Sequence, residues 1–150
     1  MGHTFTNHLY HIVFSTKDRE PWLKSKHRDR LYKYISGVAR NHHAQVLAVG
    51  GADDHIHLLI RLEPEVAVSD LLREIKSNSS RWVRQTFKEL HGFAWQAGYA
   101  SFTVSESNWR RVAQYIVLQE KHHQRLSFGQ EFARLLKRHG IEFDPDHYLD

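Results

Sequence analysis

Asp53-Asp54-His55-Ile56-His57-Leu58-Leu59-Ile60-Arg61 is the stretch on which the reading of this chain turns. Its β-branched and apolar residues predict a strand over 55–62. Alternate side chains of a strand share a face, so His55 and His57 project together. Two neutral imidazoles on one face can hold a single divalent cation. Upstream, residues 44–50 read as another strand, and Gly50-Gly51-Ala52-Asp53-Asp54 reads as the turn joining the two. The histidine pair therefore sits on a β-hairpin.

Working outward, residues 8–15 are aromatic and β-branched and predict a first strand. Pro21 is placed to open a helix, and Leu31, Tyr34, Ile35 and Val38 recur at helical spacing as far as Asn41. Pro64 ends the hairpin, and Ser69 is the expected N-cap of a second helix with Leu71, Leu72, Ile75, Trp82 and Val83 as its buried stripe. Residues 91–98 read as a loop, and 99–105 as a fourth strand. A third helix follows from about Asn108 to His123, and a short last one over Glu131 to His139. The order β-α-β-β-α-β predicts an α+β, ferredoxin-like split antiparallel sheet followed by C-terminal helices, in a single domain over 1–150. Helices on one face would leave the other free for a ligand.

Composition sets bounds. The chain has 150 residues, no cysteine, 13 histidines and a formal charge of +4. Disulfides and cysteine-ligated metals are excluded. No apolar run is long enough to span a membrane and no signal peptide is visible, so a cytoplasmic protein is expected. A modest basic excess is compatible with a polyanionic partner.

The third helix carries Tyr115 and Gln119, four residues apart and so on one face. A phenol and an amide brought to a histidine-held cation suggest phosphodiester chemistry with a tyrosine nucleophile. His122 and His123 follow as phosphate contacts or as cations suited to a helix C-terminus, extended by Lys121 and Arg125. Candidate nucleic-acid contacts are Lys17 and Arg19 after strand one, Arg73, Lys76, Arg81, Arg84 and Lys88 on the second helix, and Arg110 and Arg111 at the start of the third. Trp22, Trp95, Tyr99 and Trp109 are aromatics on which bases can stack.

Together these segments resemble the single-tyrosine HUH transposases, the small enzymes of the insertion-sequence 200/605 group and their domesticated relatives associated with repetitive extragenic palindromes. The likeness rests on His55-Ile56-His57 after Asp54, on Tyr115-Ile116-Val117-Leu118-Gln119 followed by His122-His123, on Tyr10 to Lys17 and on Trp95 to Ser105. One departure is Ala100, where the pattern has glycine. The resemblance implies cleavage and rejoining of single-stranded DNA at hairpin-bearing element ends, through a 5′-phosphotyrosine link. It implies Mg²⁺ or Mn²⁺ held by His55, His57 and Gln119, attack by Tyr115, and a homodimer whose sites can pair the histidines of one subunit with the tyrosine helix of the other. The acidic Asp144-Pro145-Asp146, in place of a basic tail, favours the mobile-element type.

Three rival readings follow from the same residues. An RNA-binding ferredoxin-like module would carry aromatics on its central strands, where 55–62 has His-Ile-His-Leu-Leu-Ile. A two-histidine phosphoesterase would want a hydroxyl residue two beyond each histidine, and Leu59 follows His57. A catalytically inactive hairpin-DNA binder would keep the same residues without using them.

Overall fold

The computed structural model describes residues 2–122 and 125–150. Strands β1 (His8–Ser15), β2 (Ala44–Gly51), β3 (His55–Leu62) and β4 (Ala100–Val104) form one sheet in the order β2-β3-β1-β4. Every neighbouring pair is antiparallel. Helix α1 (Ser25–Asn41) connects β1 to β2, and α2 (Val68–Thr86) leads towards β4. This is the expected ferredoxin-like α+β arrangement. After β4 come α3 (Trp109–Val117), the single turn α4 (Gln119–His122) and α5 (Phe128–Arg138).

Strand alternation divides the core. Ile12 and Phe14 of β1 and Ile56, Leu58 and Ile60 of β3 pack with Leu31, Ile35, Leu71, Leu72 and Ile75 of α1 and α2. Each such side chain, wholly withdrawn from water, contributes about 1.5–3 kcal/mol. The opposite face is not free, contrary to expectation. Val13, Ala100 and Phe102 pack against Phe128, Phe132, Leu135 and Leu136 of α5. Ala48 and Leu59 pack against Ile116 of α3. The unbroken run Leu58-Leu59-Ile60 is what a strand covered on both faces requires. Ala100 fits this layer, its methyl buried at the start of β4.

Three boundaries differ from the sequence pattern for identifiable reasons. Pro21 does not open α1, because Leu23 is held extended: its amide donates to the Asp53 carbonyl at 2.8 Å. Ser69 lies inside α2, whose N-cap is Ala67, because Val68 extends the apolar stripe by one turn. Helix α5 begins three residues early, since Ser127 and Gln130 form a reciprocal capping box.

The tyrosine helix lies directly on the sheet. A Cβ built on Gly50 would stand 2.0 Å from the carbonyl oxygen of Ile116, so α3 and β2 meet backbone to backbone. Leu118 then breaks the helix, with φ −96° and ψ 17°. The break turns Val117 and Leu118 outward, while Gln119 is buried beneath the next turn.

Candidate active site

The histidine-bearing face of β3 is wholly enclosed. His55 and His57 have no exposed side-chain surface. His55 Nδ1 lies 2.8 Å from Asp54 Oδ1, and its Nε2 lies 3.0 Å from Gln119 Oε1. A carboxylate only accepts, so Nδ1 carries a proton and donates to Asp54. Gln119 Nε2 donates to the Tyr115 carbonyl at 3.4 Å, which fixes the amide with its oxygen towards His55. Two acceptor positions then face each other, a pairing that only a proton or a cation between them stabilises.

His57 is oriented from the other side. Its Nδ1 meets His11 Nε2 at 2.8 Å, and its Nε2 meets Glu131 Oε1 at 2.9 Å. Burial and the neighbouring His57 push His11 down to about 3, so His11 is neutral and can trade one shared proton with its partner. Asp54 and His11 thus do for the two histidines what outer partners do in metal centres, setting tautomer and ring direction.

Glu131 completes the cluster. Ligand atoms of His55, His57 and Glu131 all lie within 4.8 Å of one another. Its other oxygen accepts a short hydrogen bond from the Tyr115 hydroxyl. Burial, the Glu131 charge and this hydrogen bond all raise the phenol above its ordinary value. Two imidazole nitrogens, a carboxylate oxygen and the Gln119 amide oxygen form a donor set suited to a first-row divalent ion. The fit rests on the facing acceptors and on a buried carboxylate among imidazoles.

Arg28 braces this arrangement. It donates to the Leu23 carbonyl at 2.7 Å, to Asp53 Oδ1 at 2.9 Å, and through Nη2 to Glu120. One guanidinium so ties the residue before Asp54 to the residue after Gln119.

Two kinds of comparison bear on this geometry. The family model described as "Transposase IS200 like" matches residues 4–119, most of the chain. This protein belongs to the IS200-like transposase family. The ISDra2 transposase TnpA of Deinococcus radiodurans is 27% identical over 112 residues, covering 71% of this chain and 80% of that protein. The transposase for insertion sequence element IS200 of Salmonella typhimurium is 27% identical over 121 residues, covering 77% and 79%. A crystal structure of a putative transposase from D. radiodurans superposes with a TM-score of 0.65 at 26% identity, covering 77% of this chain and 94% of that one. A REP-associated tyrosine transposase bound to a REP hairpin gives a TM-score of 0.63 at 18% identity, covering 97% and 91%, a likeness of fold.

In this transposase one chain brings Tyr115 to its own histidines, with ring centroids of Tyr115 and His57 5.9 Å apart. The basic residues singled out from the sequence separate into groups. On α2, Arg73 pairs with Asp70 at 3.0 Å, Arg81 donates to Asn78 Oδ1 at 3.0 Å, and Arg84 to the Phe93 carbonyl at 3.0 Å. The Lys76 ammonium, lowered to about 8 by burial, is held by the Gln96 carbonyl at 2.9 Å and by that of Gly98. It fastens the loop before β4. Arg19 donates to the Leu149 carbonyl at 3.3 Å, and Lys17 is exposed beside it. Arg110 lies over the Trp109 ring, 4.5 Å from its centroid, and Arg111 opens onto a cavity beside Tyr115. His122 falls in α4, and His123 lies outside the described residues.

Sequence reasoning missed Glu131 and His11. The signal for Glu131 is an acid inside an apolar stripe, since Phe128, Glu131, Phe132, Leu135 and Leu136 are all buried on one face of α5. The signal for His11 is a polar residue on the same strand face as Val13.

Proposed function

We propose that this transposase cuts and rejoins single-stranded DNA at hairpin-bearing element ends, with Tyr115 as nucleophile and His55, His57, Gln119 and Glu131 as the holders of Mg²⁺ or Mn²⁺. The observation that carries this reading is the Glu131 carboxylate, which takes the Tyr115 hydroxyl on one oxygen and His57 on the other. Nucleophile and cation site therefore share one group. Bound there, a divalent ion would polarise the scissile phosphate.

The remaining chemistry belongs to the chain. The Tyr115 oxygen forms a bond to phosphorus as its proton passes to Glu131. The bond from phosphorus to the 3′ oxygen breaks, its electron pair leaves with that oxygen, and a proton from water completes the 3′ hydroxyl. Rejoining is the reverse, with the 3′ hydroxyl of the strand to be joined attacking the phosphotyrosine. One phosphodiester is exchanged for another, so no nucleotide energy source is needed. The likeness of fold to a protein solved on a REP hairpin supports DNA as the partner.

The test is a covalent-adduct assay with labelled single strands from the DNA flanking the gene, in Mg²⁺ or in EDTA. The expected result is a metal-dependent band on a denaturing gel that Tyr115→Phe abolishes while hairpin binding persists. Normal cleavage by Tyr115→Phe removes the nucleophile assignment. Hairpin binding with no adduct from any flanking strand supports the inactive binder instead. The reading includes a homodimer, and a monomer mass by light scattering at every concentration would remove that part.

A further inference from the structure

Beside Tyr115 a cleft of about 950 Å³ runs between α3 and α5. It exceeds what one phosphate needs and sits at the upper end of the range for ligand pockets. Arg111, Lys121, Arg125, Arg134 and Arg138 line it, and among the described residues Glu131 is the single carboxylate of the lining. That excess equals the formal +4 of the entire chain. Among the described residues none of the five cations has an ion-pair partner. On α2, by contrast, the basic side chains are engaged with the protein itself.

The spacing is regular. Arg111 stands one turn before Tyr115 on α3, on the same face. Arg134 and Arg138 continue from Glu131 along α5, about 6 Å apart by the helical rise, similar to the separation of successive phosphates in an extended strand. Guanidinium groups bind phosphate through paired donors. Among the described residues of the lining stacking platforms are few, the ring-bearing ones being His11, Tyr115 and His139. Such a surface engages backbone in preference to bases.

Resting on the reading above, we infer that this cleft binds the sugar–phosphate backbone of the strand segment that stays joined to Tyr115 after cleavage. In an in-line displacement the departing oxygen leaves opposite the attacking one. The cleft is lined by Tyr115 and Glu131 and not by His55, His57 or Gln119, so it lies on the attacking side. The released strand departs away from it. Half of the cleft, α5 with Arg134 and Arg138, lies beyond the residues matched by the family model.

The test has two arms. In EDTA, binding of a fluorescent oligothymidylate is measured against salt for the wild type, Arg134→Gln/Arg138→Gln and Arg111→Gln, with thermal melts to check folding. The salt slope should fall by about 0.7 for each arginine lost, and Arg→Lys at both α5 positions should restore most of it. Unchanged slopes in well-folded variants overturn the inference whether or not the protein cleaves DNA. In the second arm, the strand that forms an adduct is shortened on either side of the cut. Shortening the tyrosine-linked side should weaken wild-type binding several-fold and the double variant little. Sensitivity confined to the released side overturns the placement. Failure of adduct formation with the first arm intact would count against the tyrosine chemistry and not against the cleft.

Discussion

At the scale of single residues, Asp54 and Glu131 govern the two ends of the site. Asp54 holds the Nδ1 proton of His55, leaving Nε2 for a cation. Asp54→Asn should weaken Mn²⁺ affinity by about 10- to 100-fold, read by calorimetric titration, with the fold retained because Asp54 is at a turn. An unchanged affinity would mean that His55 is not a ligand. Two of the three causes that raise Tyr115 belong to Glu131, its charge and its hydrogen bond. Glu131→Gln removes the charge, so the Tyr115 phenolate should form at lower pH than in the wild type. Ultraviolet difference titration against Tyr115→Phe isolates this one among the six tyrosines, and an unmoved or higher midpoint would contradict the assigned cause. His55, His57, Tyr115 and Gln119 were legible because each repeats a spacing tied to a strand or helix face. Glu131 was not, because its partners lie 74 and 16 positions away in sequence. Only its place within an apolar stripe marks it.

At the scale of elements, the active site depends on how α3 and α5 cover the sheet. Gly50 admits α3 to direct backbone contact with β2. Gly50→Ala puts a methyl where the Ile116 carbonyl stands, so the helix must shift outward. Overpacking of this kind costs about 1–3 kcal/mol. Displacing the nucleophile by roughly an ångström can lower the rate about a hundredfold. The adduct assay should show that loss with DNA binding preserved, while full activity in Gly50→Ala would mean that the contact does not set the position of Tyr115. The strands were readable because hydrophobic alternation and the Gly-Gly turn are local. The covering of the second face was not, since α5 contributes an amphipathic stripe whose target a single sequence does not name. The broken third helix escaped for a related reason. Burial of Gln119 against His55 is a tertiary demand that overrides continuous helical periodicity.

At the scale of the whole molecule, the proposed cation site joins pieces that are far apart along the chain: β3, α4 and α5. Among the described residues no helix is long and apolar enough to cross a membrane. A ligand that binds only the folded state adds about 2.7 kcal/mol at one hundred times its dissociation constant. For a chain of 150 residues that corresponds to a rise of about 5–10 °C in melting temperature. Saturating Mn²⁺ should therefore raise the melting temperature by several degrees, an effect absent in His55→Ala/His57→Ala. An equal rise in that double variant would place the stabilising ion elsewhere. Fold class and the order of elements along the chain followed from the sequence because they summarise local patterns. The convergence of β3, α3 and α5 on the Glu131 carboxylate is a product of their packing.

The missing side chain at Gly50 has one more consequence. A seat formed by an absence of atoms carries no address, because nothing in it distinguishes the helix of its own chain from that of a second copy. Exchange of α3 between two molecules would set each tyrosine down at the same depth and angle, with neither seat rebuilt. Ownership of the proposed nucleophile would then be decided by the connection between β4 and α3, while the place where it lands would stay fixed.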